Sequence, residues 1–171
     1  MPSVYFGGSR FLSSPSPLLA QVVAAVFKSG QSIHVGCQRG ADAQVLFSCP
    51  RASSLVVFAV APSLAKAPAH VKRVWLADAR VVFSAGGFSA LIKARYLLRS
   101  IAAFQSCESA VFFSPGSGSL AVARECVRSG LPVFAFGEMP APIPESAGQW
   151  VASSFQFLPC WLWQSAQLSF T

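Results

Sequence analysis

A chain of 171 residues, 53% hydrophobic and only 11% charged, has enough apolar side chain to close one buried core, which excludes a disordered or fibrous polymer. Thirteen Lys and Arg against six Asp and Glu give a net charge of +7, which favours anionic partners: a nucleotide, a nucleic acid or an acidic protein. No apolar run is long enough to span a bilayer, since even the uncharged stretch 146–171 is broken by Ser, Gln and Pro, so no membrane partner is expected.

The opening Met1-Pro2-Ser3-Val4 lacks the basic-then-apolar pattern of a signal peptide, and the expected location is the cytoplasm. Val4, Tyr5 and Phe6 read as a strand entering a Gly7-Gly8 turn. Leu18, Leu19, Val22, Val23, Val26 and Phe27 follow a helical spacing that Gly30 stops. Residues 32–35 read as a second strand, running into Gly36-Cys37-Gln38-Arg39-Gly40 and a short helix over 41–48. The unbroken apolar run 55–60 suits a strand buried on both faces. Residues 62–79 mix loop with a short helix around 71–76, and 80–84 form another strand. Gly86-Gly87 opens a longer helix to about Gln105, with Leu91, Ile92, Leu98 and Ile101 on one side. A strand over 110–113, the loop Ser114-Pro115-Gly116-Ser117-Gly118-Ser119, a helix ending at Gly130 and a strand over 132–136 complete the series.

Strand, glycine loop and helix thus recur three times, which predicts a Rossmann-like α/β fold: a parallel sheet with helices on both faces. The domain spans 1–138. Residues 139–171 are a Pro-rich linker and a short aromatic-rich C-terminal extension, with Trp150, Phe155, Phe157, Trp161 and Trp163, expected to pack on the domain as extra strand. The five cysteines form no CxxC, and His34 and His70 stand in no ligand spacing, so neither a metal nor a disulfide framework is expected. Cys37 stands apart because it lies in a candidate site loop.

In an open parallel sheet, ligands bind beyond the carboxyl ends of the strands, where helix N-termini offer free N–H groups to a phosphate. All three glycine loops fall there. Gly7, Gly8, Ser9 and Arg10 supply backbone donors, a hydroxyl and a guanidinium whose planar fork matches phosphate oxygens. Gly36, Arg39, Gly40 and Asp42 add a second Arg and an acid at a helix start, and Gly116, Ser117, Gly118 and Ser119 add two hydroxyls at a third helix. No Lys follows the last glycine and none of the loops is GxGxxG, so neither a P-loop nor a dinucleotide fingerprint is present.

The sets Gly8-Ser9-Arg10, Arg39-Gly40-Ala41-Asp42 and Ser117-Gly118-Ser119-Leu120, in this order over residues 3 to 137, resemble the SLOG superfamily. That group includes the DNA-processing DprA proteins, the LOG nucleotide phosphoribohydrolases and the YspA-like proteins. The first set and the Gly-Ala-Asp are most similar to the YspA-like branch; the second and third sets are similar to DprA motifs. The resemblance implies a nucleotide or nucleotide-derived ligand; no cofactor is expected. Where members carry an Arg-Asn pair in the preceding helix, this chain has Arg99-Ser100, which makes Arg99 a further ligand candidate.

Three functions are weighed. A nucleotide-binding module, sensor or carrier, needs only the loops and ranks first. A LOG-like N-glycosidase needs a carboxylate at the oxocarbenium-like centre, but the register of the LOG glutamate falls on Ala121 or Val122; Asp42 and Glu125 are the remaining catalytic candidates. DprA-like binding of single-stranded DNA ranks third, because most of the aromatics read as core. A Cys37–His34 nucleophilic pair has no activating geometry in the pattern. The resemblance also leaves room for a homodimer through the Trp-rich tail.

Overall fold

The apolar run that opens the chain becomes β1 (Ser3–Gly8), the strand from which the topology divides. A computed structural model describes residues 2–83 and 91–166. From β1 the chain runs outward through β2 (Ser32–Val35), β3 (Leu55–Ala59) and β4 (Arg80–Phe83), then returns to the other side of β1 with β5 (Ser109–Phe113) and β6 (Val133–Phe136). These six strands are parallel, and the sheet continues through the antiparallel hairpin β7 (Gly148–Phe155) and β8 (Leu158–Ser165), in the order β4-β3-β2-β1-β5-β6-β8-β7. The switch point between β1 and β5, where ligand crevices form, is flanked by the first and third glycine loops.

The period of two along β1 splits its side chains between two cores. Val4 and Phe6 face α1 (Pro17–Lys28), α2 (Ala41–Ser48) and α3 (Ala69–Leu76), while Tyr5 faces α4 (Ile92–Phe104) and α5 (Ser117–Arg128). Local signals set the best-defined helix. Ser16 caps α1 by accepting from Leu19 N at 3.2 Å, Pro17 takes its first position, and Leu19, Val22, Val23 and Val26 are buried. The sequence reading differs at one helix start: α5 begins at Ser117, so the Ser-Gly-Ser of the third loop is already helical. The Gly86-Gly87 expected to open α4 lies outside the described residues. No described helix is long and apolar enough to cross a membrane.

The C-terminal hairpin belongs to the main sheet. Trp150 and Trp163 extend the core beneath α5, whereas Phe155 and Cys160 lie in the core of the other face, beside Phe134 and Phe136. The Phe155 ring centroid is 4.8 Å from that of Phe134 and 6.4 Å from that of Phe136. The turn is made by Gln156 and Phe157, both left-handed at φ 50° and 65°, and the Gln156 amide donates to Gln31 Oε1 at 2.9 Å, which pins the tip to the end of α1. Arg124 and Arg128 each bind Glu125 and Glu145 at 2.9–3.3 Å, tying the linker to α5. Truncating Phe155 to Ala empties the space against Phe134 and Phe136 and should cost about 3 kcal/mol in urea unfolding; an unchanged midpoint would mean the hairpin does not stabilise the sheet.

Candidate functional site

The three loops converge on Ser9. Its N–H donates to the Phe113 carbonyl at 3.0 Å, and its own carbonyl accepts from Ala41 N at 2.9 Å, so one residue joins β1, β5 and the start of α2. Glycine is required on either side. A Cβ on Gly8 would strike the Phe113 carbonyl oxygen and stand 2.8 Å from the Ala41 Cβ. Gly40 has φ +82°, and a Cβ there would meet the Ser9 carbonyl and lie 2.6 Å from the Arg10 Cα. The third loop closes on the first through Ser119, whose hydroxyl donates to the Gly8 carbonyl at 2.7 Å. The Ser9 hydroxyl accepts from Phe11 N at 3.1 Å, which leaves its own proton to donate.

Arg10 and Arg39 stand exposed above this junction, and among the described residues neither has a carboxylate partner. They separate two clefts. One, of about 550 Å³, runs along Phe11, Leu12, Pro15, Ala43 and Phe47; the other, of about 690 Å³, runs along Gln38, Pro68, His70 and Tyr96. Beside them, Gly116, Ser117 and Gly118 are exposed at the mouth of α5, and a Cβ on either glycine would meet nothing within 4 Å. Packing does not demand those glycines. Their effect is to bare the first-turn N–H groups, which have no partner within the helix.

Asp42 and Arg99 face each other beneath the second loop rather than either cleft. Arg99 Nη1 donates to Asp42 Oδ2 at 3.3 Å, with side chains only 4% and 10% exposed. The same Oδ2 accepts from Gln38 N at 3.1 Å. Gly36 covers the pair; a Cβ there would overlap both the guanidinium and the carboxylate. Burial pushes the Asp42 carboxyl above its usual range, opposed by the adjacent guanidinium, which cannot shed its own proton. Glu125 lies eight residues into α5, about 12 Å along the helix from Ser117, and is held by Arg124 and Arg128. Gly7 is packed against the Phe112 ring, where a Cβ would sit at 3.1 Å.

Cys37 and His34 have separate partners. The Cys37 sulfur accepts from Val60 N at 3.4 Å and burial pushes the thiol up, away from the reactive thiolate. His34 Nδ1 is 2.9 Å from the Ala103 carbonyl, which fixes the proton there, and burial lowers its pKa. Sequence reasoning missed His70, Tyr96, Phe11 and Phe47. His70 donates from Nε2 to the Cys37 carbonyl at 2.9 Å, a bond across 33 residues that no local pattern signals. Phe11 follows the first loop directly and was legible as an aromatic beside Arg10.

No protein-family model and no curated protein matches the chain. Solved structures with the same fold include DNA processing protein A (DprA) from Streptococcus pneumoniae, at TM-score 0.62 and 20% identity, covering 85% of this chain and 52% of that one. Another is DprA from Helicobacter pylori, described for its single-stranded DNA binding mode, at TM-score 0.58 and 18% identity, covering 84% and 68%. The likeness shows the Rossmann-like fold. The chain spans about half the length of the Streptococcus protein.

Asp42→Leu alone leaves a buried guanidinium uncompensated and should cost about 3–5 kcal/mol, whereas adding Arg99→Met should restore a large part of the loss. Urea unfolding of the two single variants and the double variant measures the coupling; strictly additive losses would mean the pair does not act as a unit.

Proposed function

We propose that the loop cluster binds the phosphate groups of a nucleotidyl ligand without cleaving it, and that the ligand is single-stranded DNA. The carrying observation is the pair of exposed arginines, Arg10 and Arg39, without carboxylate partners among the described residues, set where three glycine loops meet. The ligand contacts assigned to this reading are Gly8, Ser9, Arg10, Arg39 and Gly40, with the α5 amides of Gly116, Ser117, Gly118 and Ser119 as the second anion point. Gly7, Gly36, Asp42 and Arg99 support the loops from beneath. A free nucleotide ranked first on sequence grounds; an exposed aromatic beside an exposed cation favours the strand. Phe11 is 79% exposed and the Arg10 guanidinium lies 5.0 Å from its ring centroid, an arrangement suited to a stacked base with its phosphate gripped alongside. The binding mode described for the Helicobacter pylori neighbour lends the reading support.

Hydrolysis of an N-glycosidic bond has the weaker basis, since Asp42 is engaged by Arg99 and Glu125 by two arginines. Fluorescence anisotropy with labelled dT15, beside calorimetry with mono-, di- and cyclic nucleotides, separates the readings. Binding of dT15 should weaken steeply with salt. Arg10→Ala should weaken it by about 2 kcal/mol, roughly 30-fold, the scale of a lost charge-assisted contact. Tight binding of one free nucleotide with none to dT15 would return the sensor reading, and release of free base would make the protein a glycosidase.

A further inference from the structure

Phe47 lies near the end of α2 and is 54% exposed, although the same helix buries Ala41, Asp42, Val45 and Leu46. It is not part of either apolar core. The Arg73 guanidinium, from α3, lies 5.3 Å from its ring centroid. Phe11 and Arg10 repeat that arrangement at 5.0 Å, and both phenylalanines line the same 550 Å³ cleft. An aromatic ring with a guanidinium on it therefore marks two places along one open channel, the second removed from the glycine loops.

Between them the channel walls are Leu12, Ser13, Pro15, Ala43 and Gln44. Gln44 is the one amide side chain among these walls, and both of its N–H donors are already taken. Its Nε2 donates to the Leu12 carbonyl at 2.9 Å and the Ser14 carbonyl at 2.7 Å, and its Oε1 accepts from Ser16 N at 3.0 Å. A base in this channel would find apolar faces to stack on, no uncommitted amide N–H, and in Ser13 a hydroxyl that donates or accepts alike. That combination selects for a base without selecting which base.

We infer that the channel from Phe11 to Phe47 carries the next nucleotides of a single strand whose first phosphate sits on the glycine loops, with Phe47 as a second stacking platform and Arg73 as a further phosphate contact. The inference rests on the single-strand reading above and extends it from a point site to a path over the outer face of α2 and α3. It makes affinity depend on length: a dinucleotide reaches only the loops, and a longer strand engages both platforms.

The test compares labelled dT15 with pdTpdT on wild type, Phe47→Ala, Arg73→Ala and Phe47→Tyr. Phe47→Ala and Arg73→Ala should each weaken dT15 roughly tenfold, on the scale of one lost stacked base or phosphate. The dinucleotide should be held as by wild type. Arg73→Ala should also lower the salt slope for dT15 by about 0.7, the increment for one phosphate on a single strand, and Phe47→Tyr should keep wild-type affinity. Unchanged dT15 affinity, or an equal loss on both probes, overturns the path while leaving the loop site standing. Wild type that holds neither probe overturns the loop site itself and the path with it. Because both side chains are exposed, equal thermal midpoints for all four proteins confirm that the comparison reads contacts rather than folding.

Discussion

The backbone meeting at Ser9 is the constraint on which the rest of the site depends. Two hydrogen bonds, from Ser9 N to Phe113 and from Ala41 N to the Ser9 carbonyl, bring three chain segments closer than side chains would allow. That closeness forces glycine at positions 8 and 40, where a Cβ would collide with neighbouring backbone. What the junction presents is the Ser9 hydroxyl and the exposed side chains of Arg10 and Arg39. A phosphate needs donors presented at short range with little reorganisation, and a rigid backbone junction supplies that more reliably than mobile side chains.

Beneath the junction lies a second, polar layer. Asp42 gathers Arg99 and the Gln38 amide on a single oxygen, so the helix that starts at Ala41, the loop before it and α4 share one charge pair. Buried ion pairs often contribute little net stability because desolvation offsets attraction. Here the pair fixes the second loop to α4 through Arg99, fifty-seven residues after Asp42 in the chain. Arg99 Nε is buried without a hydrogen bond among the described residues, so the arrangement carries a desolvation cost that a purely structural alternative, two apolar residues, would avoid.

The fold was legible because its signals are local and repeated: a short apolar strand, a glycine loop and an amphipathic helix, with the caps at Ser16, Pro17 and Gly30 marking one helix end to end. The parts that escaped are those set by partners distant in the chain. Arg99 read as a ligand candidate on a helix face, and only packing of α4 under Gly36 directs it to Asp42. The C-terminal hairpin gave a weak signal because each face is buried at only one end, Trp150 and Trp163 on one face and Phe155 and Cys160 on the other, which breaks the regular polar-apolar alternation of an ordinary hairpin. Its turn, Gln156-Phe157, also lacks the Asn-Gly pattern usual for two left-handed residues.

The charge balance links the frame to the proposed ligand. Of six acids, Asp42, Glu125 and Glu145 are engaged by Arg99, Arg124 and Arg128, all in the structural frame. Those three carboxylates are thus committed to the frame, and among the described residues Arg10 and Arg39 have no carboxylate partner. The same distribution bears on chemistry: a glycosidase needs an acid at the ligand, and the acid nearest these loops is already bound to a guanidinium that cannot lose its proton. On the proposed reading, the loops hold an anionic ligand while the acid nearest them serves the frame.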